Sequence, residues 1–347
     1  ILDEPTSVLV PQEVEELFRN LRELKARGHT ILFIDHKLEE VLAIADTVTV
    51  LRQGRTMATV DPKRVTASEL AELMVGSELP SPSTEPRAVD DHVSLSLSDV
   101  MVLDETKRPA LDNVSLAVRR GEILGVAGVE GNGQGELIEA ILGLRSIEDG
   151  GRILLDGEEI STWSVRRRRE ARIGYVPEDR HRRGLLLDAP LWENAMLGHQ
   201  TMEPFARGPL LDRRRSREAT TRIVKDFDVR TPSIDTSARA LSGGNQQKLV
   251  IGREMAASPR LLIAAHPTRG IDVGAQAAVW EELRTARRNG LALLLVSADL
   301  EELLGLADRL VVMLRGRVVA ELDPGTTTPR QLGGYMTGAE DVTGDEE

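Results

Sequence analysis

The stretch Leu241-Ser242-Gly243-Gly244-Asn245-Gln246-Gln247-Lys248 opens an apolar helical run that ends near Ser258-Pro259. A serine at a helix start can cap it, paired glycines allow close backbone approach, and free first-turn amides with the helix dipole favour an anion. A plain cap needs only the serine. The full octapeptide predicts a helix N-terminus shaped for a terminal phosphate.

Upstream, a strand over Glu122 to Val126 leads into Gly128-Val129-Glu130-Gly131-Asn132-Gly133-Gln134-Gly135 and a helix carrying Leu137, Ile138, Ile141 and Leu142. Strand, glycine loop and helix together form a phosphate cradle, because glycines expose backbone N–H groups to an anion at a helix N-terminus. The usual loop has Lys and then Ser or Thr where this one has Gln134 and Gly135, so the charge clamp and the metal-facing hydroxyl are gone. Taken alone, the segment reads first as a glycine-rich turn.

Downstream, Pro267-Thr268 repeats Pro5-Thr6 at an offset of 262 residues, and the offset persists without a gap. Leu38-Glu39-Glu40 falls on Leu300-Glu301-Glu302, Ala45-Asp46 on Ala307-Asp308, Gly54-Arg55 on Gly316-Arg317, and Gly76 on Gly338. Each copy reads as strand, turn, helix, strand, short helix and strand pair, the alternation of a mostly parallel sheet covered by helices. The expected organisation is a C-terminal part of a first domain over 1–76, a Ser/Pro/acidic linker over 77–92, a complete second domain over 93–338 and an acidic tail over 339–347. The chain opens at Ile1-Leu2-Asp3-Glu4, inside a motif, and is read as a fragment whose first copy lacks about 170 N-terminal residues if the copies are equal in length.

A length of 347 residues suits about two domains. With 41% hydrophobic and 29% charged residues, the chain is neither disordered nor a disulfide-stapled miniprotein. It has no cysteine, which removes thiolate chemistry and leaves the compartment open. Lys plus Arg number 44 against 56 Asp plus Glu, a net −12 that argues against a general nucleic-acid binder. The basic clusters Arg166 to Arg169, Arg180 to Arg183 and Arg213 to Arg215 accordingly read as solvated faces. Apolar runs such as Leu291 to Val296 are strand-sized, far below the roughly 18 residues of a membrane span.

The octapeptide resembles the signature of ATP-binding-cassette (ABC) nucleotide-binding domains. Gly128 to Gly135 looks like a degenerate Walker A loop, Leu261 to Ala265 sits where the Walker B strand belongs, and Pro267 to Asp272 resembles the lead into the D-loop. The resemblance covers essentially the whole chain and is strongest to the fused two-cassette ATPases of ribose- and galactose-type importers and their nucleoside-importing relatives, which pair a competent with a degenerate cassette. It implies an α/β, RecA-like P-loop NTPase fold with a mostly parallel sheet, an antiparallel β subdomain and a helical subdomain, in one partial plus one complete copy, with ATP and Mg2+ as ligands.

That resemblance gives each residue a role. Asp3 holds magnesium through water, Glu4 polarises the attacking water, and His36, at the switch-histidine position, contacts the terminal phosphate. Ser242, Gly243, Gly244 and Gln246 bind ATP from the signature side. Gly128, Gly131, Asn132, Gly133, Gln134, Gly135 and Glu136 bind it from the degenerate Walker A side. In head-to-tail cassettes, Asp3, Glu4 and His36 face Ser242, Gly243 and Gly244. This chain alone is therefore expected not to hydrolyse ATP.

At the offset of 262, Asp3 becomes Ala265, Glu4 becomes His266 and His36 becomes Ala298. Glu178 stands at the Q-loop position where the family commonly has Gln. Losing one preorganised transition-state contact costs about a hundredfold to a thousandfold, so the second copy's own site is expected to be nearly inactive. The resemblance further implies a helical subdomain from Glu178 to about Gly198 that meets transmembrane permease subunits, an indirect external substrate-binding protein, and a peripheral position on the cytoplasmic face of the membrane. No nucleic acid is expected as partner. The leading expectation is an energy-coupling ATPase of a sugar or nucleoside importer, and Gly131-Asn132-Gly133-Gln134 points towards the nucleoside branch. Two other classes compete: a nucleotide-sensing regulatory pseudo-ATPase, and a twin-cassette translation or repair factor.

Overall fold

Apolar runs of two to six residues are too short for helices and pair as strands. Near the start, β1 (Leu2–Asp3) lies parallel to β2 (Phe33–Ile34), with the 16-residue α1 (Pro11–Ala26) as the crossover. Next come α2 (Leu38–Ile44), the antiparallel pair β3 (Val48–Arg52) and β4 (Arg55–Val60), and α3 (Ala67–Val75). Phe18 of α1 is buried edge-on against Phe33, and Leu70 of α3 and Val50 of β3 are also buried. In this computed structural model the described residues are 1–6, 9, 11–35, 37–52, 54–75 and 89–338. The expected acidic tail, most of the expected linker and His36 lie outside them. The chain forms two compact units, Ile1–Ser81 with Asp272–Ala278, and Pro82–Ile271 with Val279–Glu347.

From residue 93 the order is β5 (Val93–Leu103), β6 (Pro109–Arg119), β7 (Ile123–Ala127), α4 (Gln134–Leu142), β8 (Arg152–Leu155), β9 (Glu158–Glu159), α5 (Val165–Glu170) and β10 (Ile173–Val176). A π-helical turn, Arg180–Gly184, precedes α6 (Leu191–Met196), the hairpin β11 (Ala206–Arg207) and β12 (Leu210–Leu211), α7 (Arg213–Asp226) and α8 (Gly243–Ala256). The chain continues through β13 (Leu261–Ala265), α9 (Val273–Arg288), β14 (Ala292–Ser297), α10 (Leu300–Leu306), β15 (Arg309–Leu314), β16 (Arg317–Leu322) and α11 (Pro329–Thr337). Six strands form one sheet in the order β10-β13-β14-β7-β15-β16, parallel except for β16. β7, β13 and β14 are buried at every position, as strands covered on both faces must be. β6-β5-β8-β9 form a separate antiparallel sheet whose Leu97, Val114 and Val118 join Leu124, Val126 and Ile141 in one core.

The sequence offset of 262 recurs in the backbone. Pro11–Ala26 maps residue for residue onto Val273–Arg288, Leu38–Ile44 onto Leu300–Leu306, Arg55–Val60 onto Arg317–Leu322 and Ala67–Val75 onto Pro329–Thr337. Even the register irregularity repeats, between Val50 and Leu51 and between Val312 and Met313. Gly54 and Gly316 turn the two hairpins at φ 74° and 79°, a left-handed conformation that glycine adopts without a Cβ clash.

Candidate functional site

The second unit gathers the glycine-rich elements at strand ends and helix starts. Ser242 occupies the N-cap position of α8 in an extended conformation, but its hydroxyl caps nothing. It accepts instead from Asn245 Nδ2 at 2.9 Å, while Asn245 Oδ1 takes the Arg230 amide. The expected serine cap is thus corrected: the first-turn amides keep the unpaired status of any helix start. Gly243 has no room for a side chain, since a Cβ there would lie 2.8 Å from Arg180 Nη2 and 2.9 Å from the Gly270 carbonyl. Gly244 is buried behind it.

Arg180 shapes this turn, donating to the carbonyls of Arg269 at 2.7 Å and Gly270 at 2.8 Å. Arg180 Nε and His181 Nε2 also meet Gln246 Oε1, at 3.4 and 2.8 Å, and Gln246 Nε2 donates to the Ala238 carbonyl at 3.0 Å. Gln246 is 5% exposed, so its side chain is spent on internal bonds. The reading of Arg180 to Arg183 as a solvated face therefore fails at Arg180, whose burial lowers its pKa. Arg168 fails it too: at 2% exposure it donates to the carbonyls of Ala140, Ile141, Ser161 and Trp163. It caps the C-terminus of α4 with a charge that complements the helix dipole. Arg169, which pairs with Glu254 and donates to the Ile173 carbonyl, fails that reading as well, and the spacing of basic residues could not separate these three from their solvated neighbours.

The loop between β7 and α4 is closed by its own amides. Gln134 is 8% exposed and donates from Nε2 to the Val129 carbonyl at 3.2 Å, and a Cβ on Gly128 would lie 2.2 Å from that nitrogen. Asn132 Nδ2 donates to the same carbonyl, and its Oδ1 accepts from the Arg315 amide, tying the loop to the β15–β16 turn. Gly131 and Gly133 take φ of 90° and 105°. Gly135 has open space where a side chain would project, and Glu136 is half-buried in the first turn of α4. The loop presents backbone N–H groups but no cation of its own.

In the first unit Asp3 is exposed at the end of β1, and Glu4, half-buried, turns the chain at φ 44° with its amide on the Ile34 carbonyl at 2.8 Å. Its counterpart His266 has φ 45°, with its amide on the Val296 carbonyl at 2.7 Å. A non-glycine residue at such φ is uncommon, so the two turns share a strained geometry with different chemistry. His266 Nδ1 accepts from the Ala298 amide at 3.4 Å; burial, then the charge of Arg269, lower its pKa and favour neutral imidazole. Thr6 is buried and donates to Asp35 Oδ2 at 3.0 Å.

Glu302 sits under the turn after β13. Its Oε1 accepts from Thr268 at 2.9 Å and Trp280 Nε1 at 3.0 Å, its Oε2 is buried without a partner, and burial followed by the charge of Asp299 pushes its pKa up to about 7. Between the unfolded value near 4.5 and about 7 the folded state holds the extra proton, so this group's stabilisation is lost as pH rises through that window. Glu302→Gln should flatten that slope and raise stability above pH 7 by on the order of 2 kcal/mol, read from urea midpoints between pH 5 and 8. An unchanged slope would assign the titration elsewhere.

Glu254 of α8 ties several elements together. Its carboxylate meets Arg169 at 2.8 Å, Arg253 at 3.0 Å, His199 at 3.5 Å and the Tyr175 amide at 3.1 Å. Arg253 reaches on to the carbonyls of Gly184 and Asn194. Beside this cluster lies a cavity of about 740 Å³ lined by Tyr175, Pro177, Arg183, Leu197 and others, one residue short of half-buried Glu178. Burial, then the charge of Glu178, push the Tyr175 phenol up. Sequence reading did not anticipate the cluster, because its members are dispersed along the chain and only Arg253-Glu254 are neighbours. No helix among the described residues is long and apolar enough to cross a membrane.

A family profile described as ABC transporter matches residues 111–269. The guanosine import ATP-binding protein NupO of Bacillus subtilis is 44% identical over 98% of this chain and 66% of its own length. The nucleoside import ATP-binding protein NupA of Lactococcus lactis is 40% identical over 97% of the chain and 67% of its own length. For the ribose import ATP-binding protein RbsA 1 of Rubrobacter xylanophilus the figures are 40%, 99% and 68%. The chain spans about two thirds of the length of these relatives. Among solved structures, the ADP conformation of the ATP-binding cassette MJ1267 matches with a TM-score of 0.57 and 20% identity, covering 71% of this chain and 95% of that one. The dimeric MJ0796 cassette bound to ADP and Pi also matches at 0.57, with 22% identity over 66% of this chain and 98% of that one. Both likenesses concern the fold.

Proposed function

The chain belongs to the ABC transporter family of import ATP-binding proteins, and from that premise we propose that it is an ATP-binding, energy-coupling subunit that hydrolyses ATP to drive uptake of nucleosides or simple sugars through a permease. The observation that carries the reading is the start of α8, where paired glycines and first-turn amides without a side-chain cap lie against the Arg180 clamp, the backbone chemistry that suits a phosphate. Nucleoside uptake is favoured over sugar because NupO has the highest identity among the relatives described above.

In this proposal the chain contains two cassettes: residues 1–76 are the C-terminal part of a first, and 93–338 a second, degenerate one. The repeat of helices and hairpins at 262 residues supports that division. Glu4 and His36 serve catalysis, and Asp3 would hold Mg2+ through water, the ion supplying charge neutralisation of the phosphates when bound. Ser242, Gly243 and Gly244 bind ATP, while Gln246 positions that turn through Arg180, His181 and Ala238. The second unit's loop fits a phosphate through its backbone, but Gln134 supplies no cation and Ala265 no carboxylate, so no hydrolytic step is assigned there. The segment from Glu178 to about Gly198, which begins beside the cavity at Tyr175 and Pro177, would meet the permease, and the protein would act on the cytoplasmic side of the membrane with an external substrate-binding protein as an indirect partner.

Uptake of labelled guanosine and labelled ribose by cells with and without this gene tests the reading. Loss of one uptake on deletion and its return on complementation are expected; unchanged uptake of both would leave the nucleotide-sensing alternative. Gly243→Ala should lower ATP turnover about tenfold with the circular-dichroism spectrum preserved, because the new methyl meets Arg180 and the Gly270 carbonyl and shifts the phosphate-facing amides.

A further inference from the structure

The hairpin formed by β11 and β12 stands apart from the nucleotide chemistry. Five of its six residues, Arg207-Gly208-Pro209-Leu210-Leu211, are exposed, and Leu210 at 73% and Leu211 at 51% are among the most exposed large apolar side chains of the described residues. Side chains alternate between strand faces, so both leucines lie open only if neither face of β12 is covered. The root is fixed by contrast. Phe205 and Ala206 are 6% and 5% exposed, the Asp212 amide bonds the Phe205 carbonyl at 2.9 Å, and Asp212 caps α7 through the Arg215 amide. A rigid base therefore carries an apolar tip.

Charge surrounds that tip. Residues 207–215 hold four arginines against one aspartate, a local excess of three positive charges in a chain of net −12. Arg214 pairs with Glu218 at 2.9 Å, and Arg215 lies 3.7 and 3.8 Å from Asp212 and Glu203. Arg207 and Arg213 are exposed and make no side-chain bond among the described residues. At physiological salt, charges beyond about 8 Å are largely screened, so a surface touching the hairpin responds to its local arginines and little to the acidic remainder.

We propose that the Arg207–Leu211 hairpin and the first turn of α7 form a contact for an anionic lipid surface, with Leu210 and Leu211 entering the interface and the arginines meeting lipid phosphates. Paired apolar and basic groups are what reversible interfacial binding requires, and each basic residue near an anionic leaflet adds to it. Two leucines on a two-residue strand offer too little area for a specific protein interface, which needs upwards of about 1,000 Å². The inference is independent of the transport reading, because lipid binding by the chain needs neither permease nor nucleotide.

The chain has no cysteine, so Leu210→Cys provides a single labelling site for an environment-sensitive fluorophore. Met57→Cys, 43% exposed in the other unit, serves as control. With phosphatidylcholine vesicles containing about a third phosphatidylglycerol, in about 0.15 M salt, the label at 210 should brighten at least about threefold while that at 57 stays unchanged. Vesicle co-sedimentation of the unlabelled chain should fall at least about fivefold in Leu210→Ser/Leu211→Ser and in Arg207→Gln/Arg213→Gln. No response at 210, an equal response at both sites, or an equal response to pure phosphatidylcholine would overturn the proposal. So would undiminished sedimentation of both double variants. If vesicles fail while the leucine variant loses binding to the permease, the hairpin is a protein contact instead.

Discussion

Glu4→Gln should lower steady-state ATP turnover of the permease-bound protein at least about a hundredfold, while His266→Ala at the equivalent position should change it less than about threefold. A carboxylate that orients and polarises a water does so through its charge, which an isosteric amide lacks; the change therefore spares the fold and removes the chemistry. Both residues sit in the same left-handed turn with the same amide bond to the neighbouring strand, so geometry does not distinguish them. Their chemistry does. His266 is held towards the neutral form by burial and Arg269, and its ring nitrogen is taken up by the Ala298 amide. Equal losses in both variants, or residual turnover unaffected by Glu4→Gln, would move the working site to the second unit. Phosphate release measured beside nucleotide affinity separates a chemical defect from a binding one.

The second large effect concerns stability. Burial alone would push the Glu254 carboxyl up, but Arg169, then His199 and Arg253, outweigh it and hold it well below the usual carboxylate range. Glu254→Ala leaves buried Arg253 and nearly buried Arg169 without their shared anion, and should cost about 3–5 kcal/mol in urea unfolding. Glu254→Gln, which keeps an acceptor for the Tyr175 amide, should cost less. A lowered pKa stabilises above the unfolded value near 4.5 and loses that contribution as pH falls towards the folded value. The gap between wild type and Glu254→Ala should accordingly be constant above about pH 5 and narrow in acid. A loss below about 1 kcal/mol would mean that water reaches the cluster.

Local pattern carried much of this molecule. The run Leu261–Ala265 is apolar without alternation and is a fully buried strand; the glycine loop before Leu137 does join strand to helix; and the offset of 262 read in the sequence recurs in the structure as matching helix limits. Pattern failed where a side chain's partner is remote. Ser242 was legible as the first residue of a helix start, but its hydroxyl is engaged by Asn245, and nothing in spacing distinguishes a capping serine from one that is bonded sideways. Gln246 likewise matches a nucleotide-binding motif while its amide bridges His181 and Ala238. Arg168 and its neighbours Arg166 and Arg167 form one basic run, yet only Arg168 faces the end of α4. A helix shows which face a residue occupies; the partner on that face comes from a distant segment of the chain.

The turn shared by Glu4 and His266 separates backbone from chemistry. A residue at φ near 45° strains the backbone, and glycine or asparagine would hold it at less cost. A carboxylate side chain holds it in one turn and an imidazole in the other, each anchored by an amide bond to the neighbouring strand. The bend is therefore set by that bond and not by the side chain it carries. Such a turn is a socket that accepts an anionic or a neutral group without a change of shape.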